Sequence, residues 1–176
     1  TTFTIASLPG SETHMMFDPL FGTERLYTEY LEDGFQFKHK DEHFFTDTWI
    51  SWENYIVKNS NEREIFTFGE SFRYTSPAIA DAFHIEVPVQ IQFKHFGGQI
   101  SNFPDHVETF FNASAGLRLN YEIADKRYGE AGVEYLRFLN TVLPHREEYT
   151  ITNGDGSWLR FHYTYKTLYV GAAVWK

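Results

Sequence analysis

Histidines and carboxylates are the residues of this chain that could do chemistry, for it holds 8 His, 24 Asp and Glu, and no Cys. His84 and Glu86 stand two apart. On an extended chain that spacing puts both side chains on one face, as metal ligands would be. His39 and His43 flank a turn. Two ligands fall short of the number a zinc or calcium site uses, so both pairs read as polar residues of a wetted face. Glu86, Glu108, Glu122 and Glu134 could supply the paired carboxyls of a glycoside hydrolase. The sequence sets no distance between them, and Lys94, Arg118 and Arg137 are at hand as ion-pair partners. Asn153-Gly154-Asp155-Gly156 resembles the start of a calcium loop but lacks the later acidic ligands and the closing Glu, so it reads as a hairpin turn. Asn112-Ala113-Ser114 is a glycosylation sequon only in form, because it falls in mid-strand. Neither HExxH nor GxSxG occurs, and Gly97-Gly98 precedes no helix that could hold a phosphate. Without Cys, thiolate catalysis and Cys-based zinc sites are excluded. The expectation is that the chain has no catalytic residues, no metal and no cofactor, and is not an enzyme.

The elements that must carry these residues are strands. Phe83-His84-Ile85-Glu86-Val87-Pro88-Val89-Gln90-Ile91-Gln92-Phe93 is apolar at every odd position and polar or Pro at every even one. A strand sends successive side chains to opposite faces, so this segment has one apolar face and one polar face. Soluble strands are usually about five or six residues long, whereas a tilted strand that crosses a bilayer needs about 9–11. Val107–Glu122 repeats the pattern, with Leu117, Leu119 and Tyr121 on one face and Glu108, Asn112, Arg118, Asn120 and Glu122 on the other. Phe35–Lys40, Phe44–Tyr55, Ile65–Tyr74, Leu159–Tyr165 and Leu168–Trp175 read as further strands, and Glu148–Thr152 pairs with Leu159–Tyr165 as a hairpin. Asp125–Gly129 is a polar turn. Val133–Leu143 fits a helical stripe as well as a strand. Thr2–Ala6 is a short strand ahead of an apolar loop around Met15–Gly22. About eight strand-like segments without βαβ alternation imply an antiparallel up-and-down meander over 34–176, with an irregular segment, 1–33, packing on it.

Composition bears on what the apolar face meets. The chain has 18 Phe, 11 Tyr and 4 Trp, and a mean hydropathy of −0.41. No run approaches the roughly 18 apolar residues of a membrane helix. A transmembrane barrel alternates lipid-facing and lumen-facing residues, so its mean hydropathy resembles that of a soluble protein. A net charge of −9 lacks the electrostatic footprint of nucleic-acid binding, and no polybasic segment marks attraction to anionic headgroups. Aromatics gather near strand ends, where membrane interfaces would place them: Phe44, Tyr55, Phe93, Phe96, Tyr121, Trp158 and Trp175. The expected fold is therefore all-β, a transmembrane β-barrel or a segment of a larger one; the alternative is a soluble β-barrel or jelly-roll sandwich. In the barrel, Phe83, Ile85, Val87, Val89, Ile91, Phe93, Leu117 and Leu119 face lipid. His84, Glu86, Gln90, Gln92, Lys94, Glu108, Asn112, Arg118, Asn120 and Glu122 line the lumen. Two residues strain the pattern. Glu70 is in phase with Phe66, Phe68, Phe72 and Tyr74, so either the strand shifts phase or Glu70 faces a partner. Pro88 removes a ladder donor inside the best strand, which water or a bulge would accommodate.

Phe35-Gln36-Phe37-Lys38, Asp47-Thr48-Trp49-Ile50-Ser51-Trp52-Glu53, Phe66-Thr67-Phe68-Gly69, Val87-Pro88-Val89-Gln90, His95-Phe96-Gly97-Gly98-Gln99 and the final Leu168–Trp175 resemble outer-membrane β-barrel proteins of Bacteroidota. The likeness covers about Gly34 to Trp175. It implies location in the bacterial outer membrane and carries no catalytic motif. Members of that group are usually longer, which implies that the chain is part of a larger barrel. The opening Thr1-Thr2-Phe3 suits a processed form or a piece of something longer. The expected role is a narrow pore, a scaffold or a subunit of an outer-membrane complex. The expected partners are the bilayer and other outer-membrane proteins, and no nucleic acid. The alternative is a periplasmic or secreted module that binds carbohydrate through exposed aromatics. If Val89 meets lipid, Val89→Arg should block membrane assembly, since Arg near the midplane costs on the order of 2–4 kcal/mol. Gln90→Arg should be tolerated in a wet lumen. Heat-modifiable mobility of the extracted protein checks both.

Overall fold

The computed structural model describes residues 1–22, 24–28, 31–80, 82–98, 100–123, 129–144 and 152–176. Nine antiparallel strands form one sheet in sequence order: β1 (Thr2–Leu8), β2 (Glu32–Lys40), β3 (Phe44–Asn54), β4 (Glu64–Thr75), β5 (Phe83–Gly97), β6 (Glu108–Glu122), β7 (Gly129–Leu143), β8 (Asn153–Tyr165) and β9 (Leu168–Trp175). The all-β meander expected from the alternation is the observed fold. β5, β6 and β7 each run for 15 residues, long enough to cross a bilayer at a tilt. β1 and β9 are the two edges, an arrangement consistent with a barrel or with part of one.

Three segments differ from the sequence reading. Thr2–Leu8 pairs along its whole length with Glu32–Lys38, so the sheet begins well before Gly34 and the irregular stretch is confined to 9–31. Val133–Leu143 lies within β7, where it pairs with β6 on one side and β8 on the other. Two neighbouring ladders satisfy more backbone groups there than a helical stripe would. Asn153-Gly154-Asp155-Gly156 opens β8 opposite Phe138–Thr141 and makes no turn, because the same pairing overrides the local turn signal. The expected strand Glu148–Thr152 and turn Asp125–Gly129 lie mostly outside the described residues.

Alternation gives the sheet two unlike faces. The outer face exposes Phe35, Phe37, Leu117, Leu119, Tyr135, Leu139, Phe161 and Tyr163. An apolar band spread over most strands far exceeds the patch a soluble monomer shows, and it matches a surface that meets lipid. The inner face buries polar side chains, among them Gln36, Asp47, Thr67, Ser71, Gln90, Gln92, Asn120 and Glu134. Pro88 is absorbed without a bulge: Glu86 faces Arg118 and Val89 faces Ala115, the same register on both sides. Glu70 keeps the outer phase and has partners, the hydroxyl of Thr46 at 2.6 Å and that of Thr48.

The segment between β1 and β2 packs on the inner face. Phe21 joins Leu8 and Trp49 in one apolar cluster, and Leu20 joins Leu136 and Phe138 in another, with Met16 against both. Trp49 finds room because Gly69 stands opposite it; a Cβ there would lie 2.1 Å from the indole. Gln90 binds this segment directly. Its Oε1 accepts from the Phe17 amide at 2.8 Å, and its Nε2 donates to the Met15 carbonyl at 2.9 Å and to Ser71 Oγ at 3.1 Å. One short stretch that touches β3, β5 and β7 together requires the sheet to curl around it. The wet surroundings expected for Gln90 are thus corrected: its amide is enclosed and fully used.

The tight connection between β2 and β3 is held by Asp41. Its Oδ1 accepts from the amides of His43 and Phe44, each at 2.8 Å, and its Oδ2 faces His39 Nε2 at 3.1 Å. The Phe44 and His43 amides and the His39 ring hold its carboxyl down to about 2.

Two outcomes follow from this packing. Gln90→Leu should cost on the order of 1–3 kcal/mol for each of the Phe17 and Met15 backbone groups it strands, and Gln90→Arg should fail to assemble, both read by denaturant unfolding in detergent. The Asp41 carboxyl, depressed on folding, stabilises the hairpin above its ordinary pKa of 3.8, and that contribution disappears as pH falls through about 2. The amide resonances of His43 and Phe44 should titrate near the lower value; a midpoint near the ordinary one would contradict the assigned bonds.

Candidate functional site

The inner-face residues expected to line a lumen form networks of paired charge. Arg118 Nη1 donates to Glu86 at 2.8 Å and its Nη2 to Glu134 at 2.6 Å, while Arg160 Nε stands 3.3 Å from Glu134. Lys94 pairs with Glu53 at 2.5 Å. Glu108 lies 3.7 Å from Arg63, and Glu122 lies 3.1 Å from His84. Asn112 accepts from Asn140 across the β6–β7 pair. Gln92 is buried beside them. Arg137, in contrast, is on the outer face and pairs with Asp155. Of the residues expected to meet lipid, Phe83, Leu117 and Leu119 are exposed. Ile85, Val87, Val89, Ile91 and Phe93 share that face but are half-buried by their neighbours, Phe93 stacking on Phe68 at 5.0 Å between centroids.

A second cluster was not legible beforehand. His14, fully buried, ends the 3-10 turn Ser11–His14. Its Nε2 is 2.7 Å from Glu32 and its Nδ1 is 3.1 Å from Asp47, with Gln36 Nε2 donating to Asp47 at 2.9 Å and Lys38 Nζ 3.1 Å from the same carboxylate. Trp49 stacks on the His14 ring at 3.7 Å. Burial opposes the charged imidazole, but the hydrogen bonds and charges of Asp47 and Glu32 outweigh it and hold His14 above its ordinary value. Enclosed on every side, this group anchors the inner segment and is closed to a substrate. Among the described residues no group of three or more His, Asp or Glu is placed to hold a metal.

Hydrolytic chemistry needs a hydroxyl within hydrogen-bond reach of a base. Among the described residues, two hydroxyls lie within reach of a histidine ring on the outer face, at opposite ends of the sheet. At one end Thr1 Oγ1 is 2.7 Å from His39 Nδ1, and His39 Nε2 faces Asp41 at 3.1 Å. At the other, His95 Nδ1 is 2.9 Å from Thr109 Oγ1, the two residues being paired across β5 and β6. The ring of Phe66 lies against His95 at 4.9 Å and fixes its plane. Close by on the same face, Trp52 Nε1 donates to Glu64 at 3.3 Å. His95 and Thr109 were missed in the sequence because 14 positions separate them; only the register of β5 on β6 makes them neighbours. A His and a Thr in the apolar phase of two long strands are the signal that could have found them.

The inner face also has a cavity of about 630 Å³ at the end that carries the Asp41 turn, lined by Glu42, Glu86, Glu122, Glu130, His84, Asn120 and others.

Comparison with known proteins bears on these arrangements. No curated protein and no solved structure matches the chain. A protein-family model does match, over residues 1–176, and the family is described as lipid A 3'-O-deacylase-type. A deacylase is an enzyme, so this finding overturns the expectation of a protein without activity. The outer-membrane character read from the resemblance stands at the level of this family. The match runs the length of the chain, and the chain therefore belongs to the lipid A 3'-O-deacylase-type family.

Proposed function

We propose that this chain is an outer-membrane esterase that removes an ester-linked acyl chain from lipid A, with His95 as general base and Thr109 as nucleophile. The observation that carries the assignment is the 2.9 Å contact between His95 Nδ1 and Thr109 Oγ1 on the face that presents the apolar band. An acyl chain in the bilayer can lie along that face and bring its ester to the pair without leaving the membrane.

Connection lengths support this end of the sheet over the other. The turns 41–43, 76–82, 123–128 and 166–167 are short, and the connections 9–31, 55–63, 98–107 and 144–152 at the opposite end are longer. Bacterial outer-membrane barrels have short periplasmic turns and longer extracellular loops. On that rule β5 and β6 present His95 and Thr109 toward the outer leaflet, where lipid A resides, and the Thr1–His39–Asp41 row lies toward the inner one.

The chemistry is that of acyl transfer. His95 takes the proton of Thr109 Oγ1 as that oxygen attacks the ester carbonyl carbon. The tetrahedral centre collapses, the bond from the carbonyl carbon to the sugar oxygen breaks, and the sugar oxygen receives the proton from His95. Water, activated by the same imidazole, then hydrolyses the acyl-threonine and releases a free fatty acid. The pore expected from sequence is not part of the proposal, since residues 13–21 pack on the inner face.

Purified protein in detergent micelles, supplied with lipid A, should release fatty acid. His95→Asn and Thr109→Val should lower the rate by on the order of 10²–10⁴-fold, the contribution of a positioned base, while Thr109→Ser retains activity. His39→Asn should leave the rate within about twofold, well inside the range that general-base loss would exceed. Loss in His39→Asn with retention in His95→Asn would transfer the role to the other end, and release unchanged in all four variants would overturn the assignment.

A further inference from the structure

We propose that Arg63 is a positioning residue for the His95–Thr109 pair, a role that rests on the esterase reading of that pair and adds the part that keeps its two strand ends in register. His95 faces Thr109 on the penultimate rung of the β5–β6 ladder, and Phe96 faces Glu108 on the last. Thr109 also stands on the last rung between β6 and β7, opposite Leu143. Strand ends open more readily than strand centres, so a reactive pair placed there needs a hold from outside the ladder. The demand is strict, because a misplacement of about 1 Å costs on the order of 10²-fold in rate.

Arg63 immediately precedes β4, and its backbone is tied to β3, since Asn54 Nδ2 donates to the Arg63 carbonyl at 2.7 Å. From there its side chain reaches across β5 to β6. Nη2 donates to the His106 carbonyl at 2.8 Å, and lies 3.4 Å from the Phe96 carbonyl and 3.7 Å from the Glu108 carboxylate. The guanidinium carbon stands 5.3 Å from the centre of the Phe96 ring. Phe96 follows His95 and Glu108 precedes Thr109, so one guanidinium grips both ends of the rung next to the reactive one. It does so from the other side of the sheet. His95 and Thr109 point outward, whereas Phe96 and Glu108, one position along each strand, point inward. Among the described residues Arg63 makes no hydrogen bond or ion pair with His95 or Thr109, and it acts on them through the backbone. Its side chain is 18% exposed, which limits screening of these contacts. Asp105 stands 3.9 Å from Nη1 but is 61% exposed, so that ion pair contributes little. Lysine at position 63 would keep the charge and lose the planar fork of donors that spans two strands.

Two measurements on the purified chain in detergent micelles test this. In fatty-acid release from lipid A, Arg63→Gln and Arg63→Lys should each lower kcat by about 10–100-fold with KM within about twofold, the signature of a displaced pair and not of a lost substrate contact. Asp105→Asn should stay within about twofold of the parent, as an exposed charge does. The nitrogen resonances of the histidine rings report the pair without turnover. Thr109→Val marks where the His95 Nδ1 signal lies once the contact is lost. Both Arg63 variants should move the His95 signal toward that mark. The ring signals of His14, enclosed between β2 and β3, should stay in place and show that the chain is folded. A moved His95 signal with fixed His14 signals supports the role. The same result with no fatty acid released even by the parent would sink the esterase reading and leave Arg63 as the residue that sets the contact. A His95 signal unmoved in a folded Arg63 variant, or an unchanged kcat beside an active parent, would overturn the proposal. So would an equal loss in Asp105→Asn, or loss of the His14 signals in both Arg63 variants, which would make Arg63 a support of the whole sheet.

Discussion

A charge taken out of water costs several kcal/mol unless an opposite charge and further hydrogen bonds stand beside it. The inner face of this sheet carries many such charges, and the fold is arranged around satisfying them. Asp47 illustrates the constraint. Fully buried on β3, it is met by His14 from the connection between β1 and β2, by Gln36 and by Lys38 from β2. Each partner removed leaves the buried carboxylate with less compensation. The cluster therefore pins the inner segment in one position, and that position decides where Phe21 packs on Trp49 and where Leu20 packs on Leu136 and Phe138. The Arg118–Glu86–Glu134–Arg160 row performs the same service between β5 and β8, tying four successive strands by charge as well as by backbone bonds.

Pairing on one face leaves the other free for a different solvent. The outer face shows the apolar band, and its few polar groups are local and matched. Glu70 is bonded by two threonines from β3, and Arg137 is bonded by Asp155 from β8. His95 and Thr109 belong to this set, yet they differ from the rest: an imidazole can take and return a proton near neutral pH, which suits it to work with a hydroxyl in acyl transfer. On the function proposed above, an acyl chain of lipid A would reach that pair along the apolar outer face.

The alternation of Phe83–Phe93 and Val107–Glu122, read from the sequence, determined the all-β meander and which residues share a face. Period-2 patterning is a local property, and it survives in the structure wherever a strand is long. Pro88 and Glu70, which strained the pattern, are accommodated without changing it. Local patterning was insufficient at Val133–Leu143, where apolar residues fit two periods, and at Asn153–Gly156, where turn-forming residues are held extended by pairing with β7. What each polar residue touches was decided only by the tertiary structure. Gln90 reads as a lumen amide by its phase, but whether it meets water or the backbone of Phe17 depends on a segment 73 positions away. His14 sits in a stretch without period, and nothing local shows that Glu32 and Asp47 close on it. His95 and Thr109 become a pair through the register of two strands. Alternation fixes a side chain's face because it is set by the backbone of the residue itself; its neighbour across the sheet is set by contacts between distant parts of the chain, and those exist only once the whole sheet has formed.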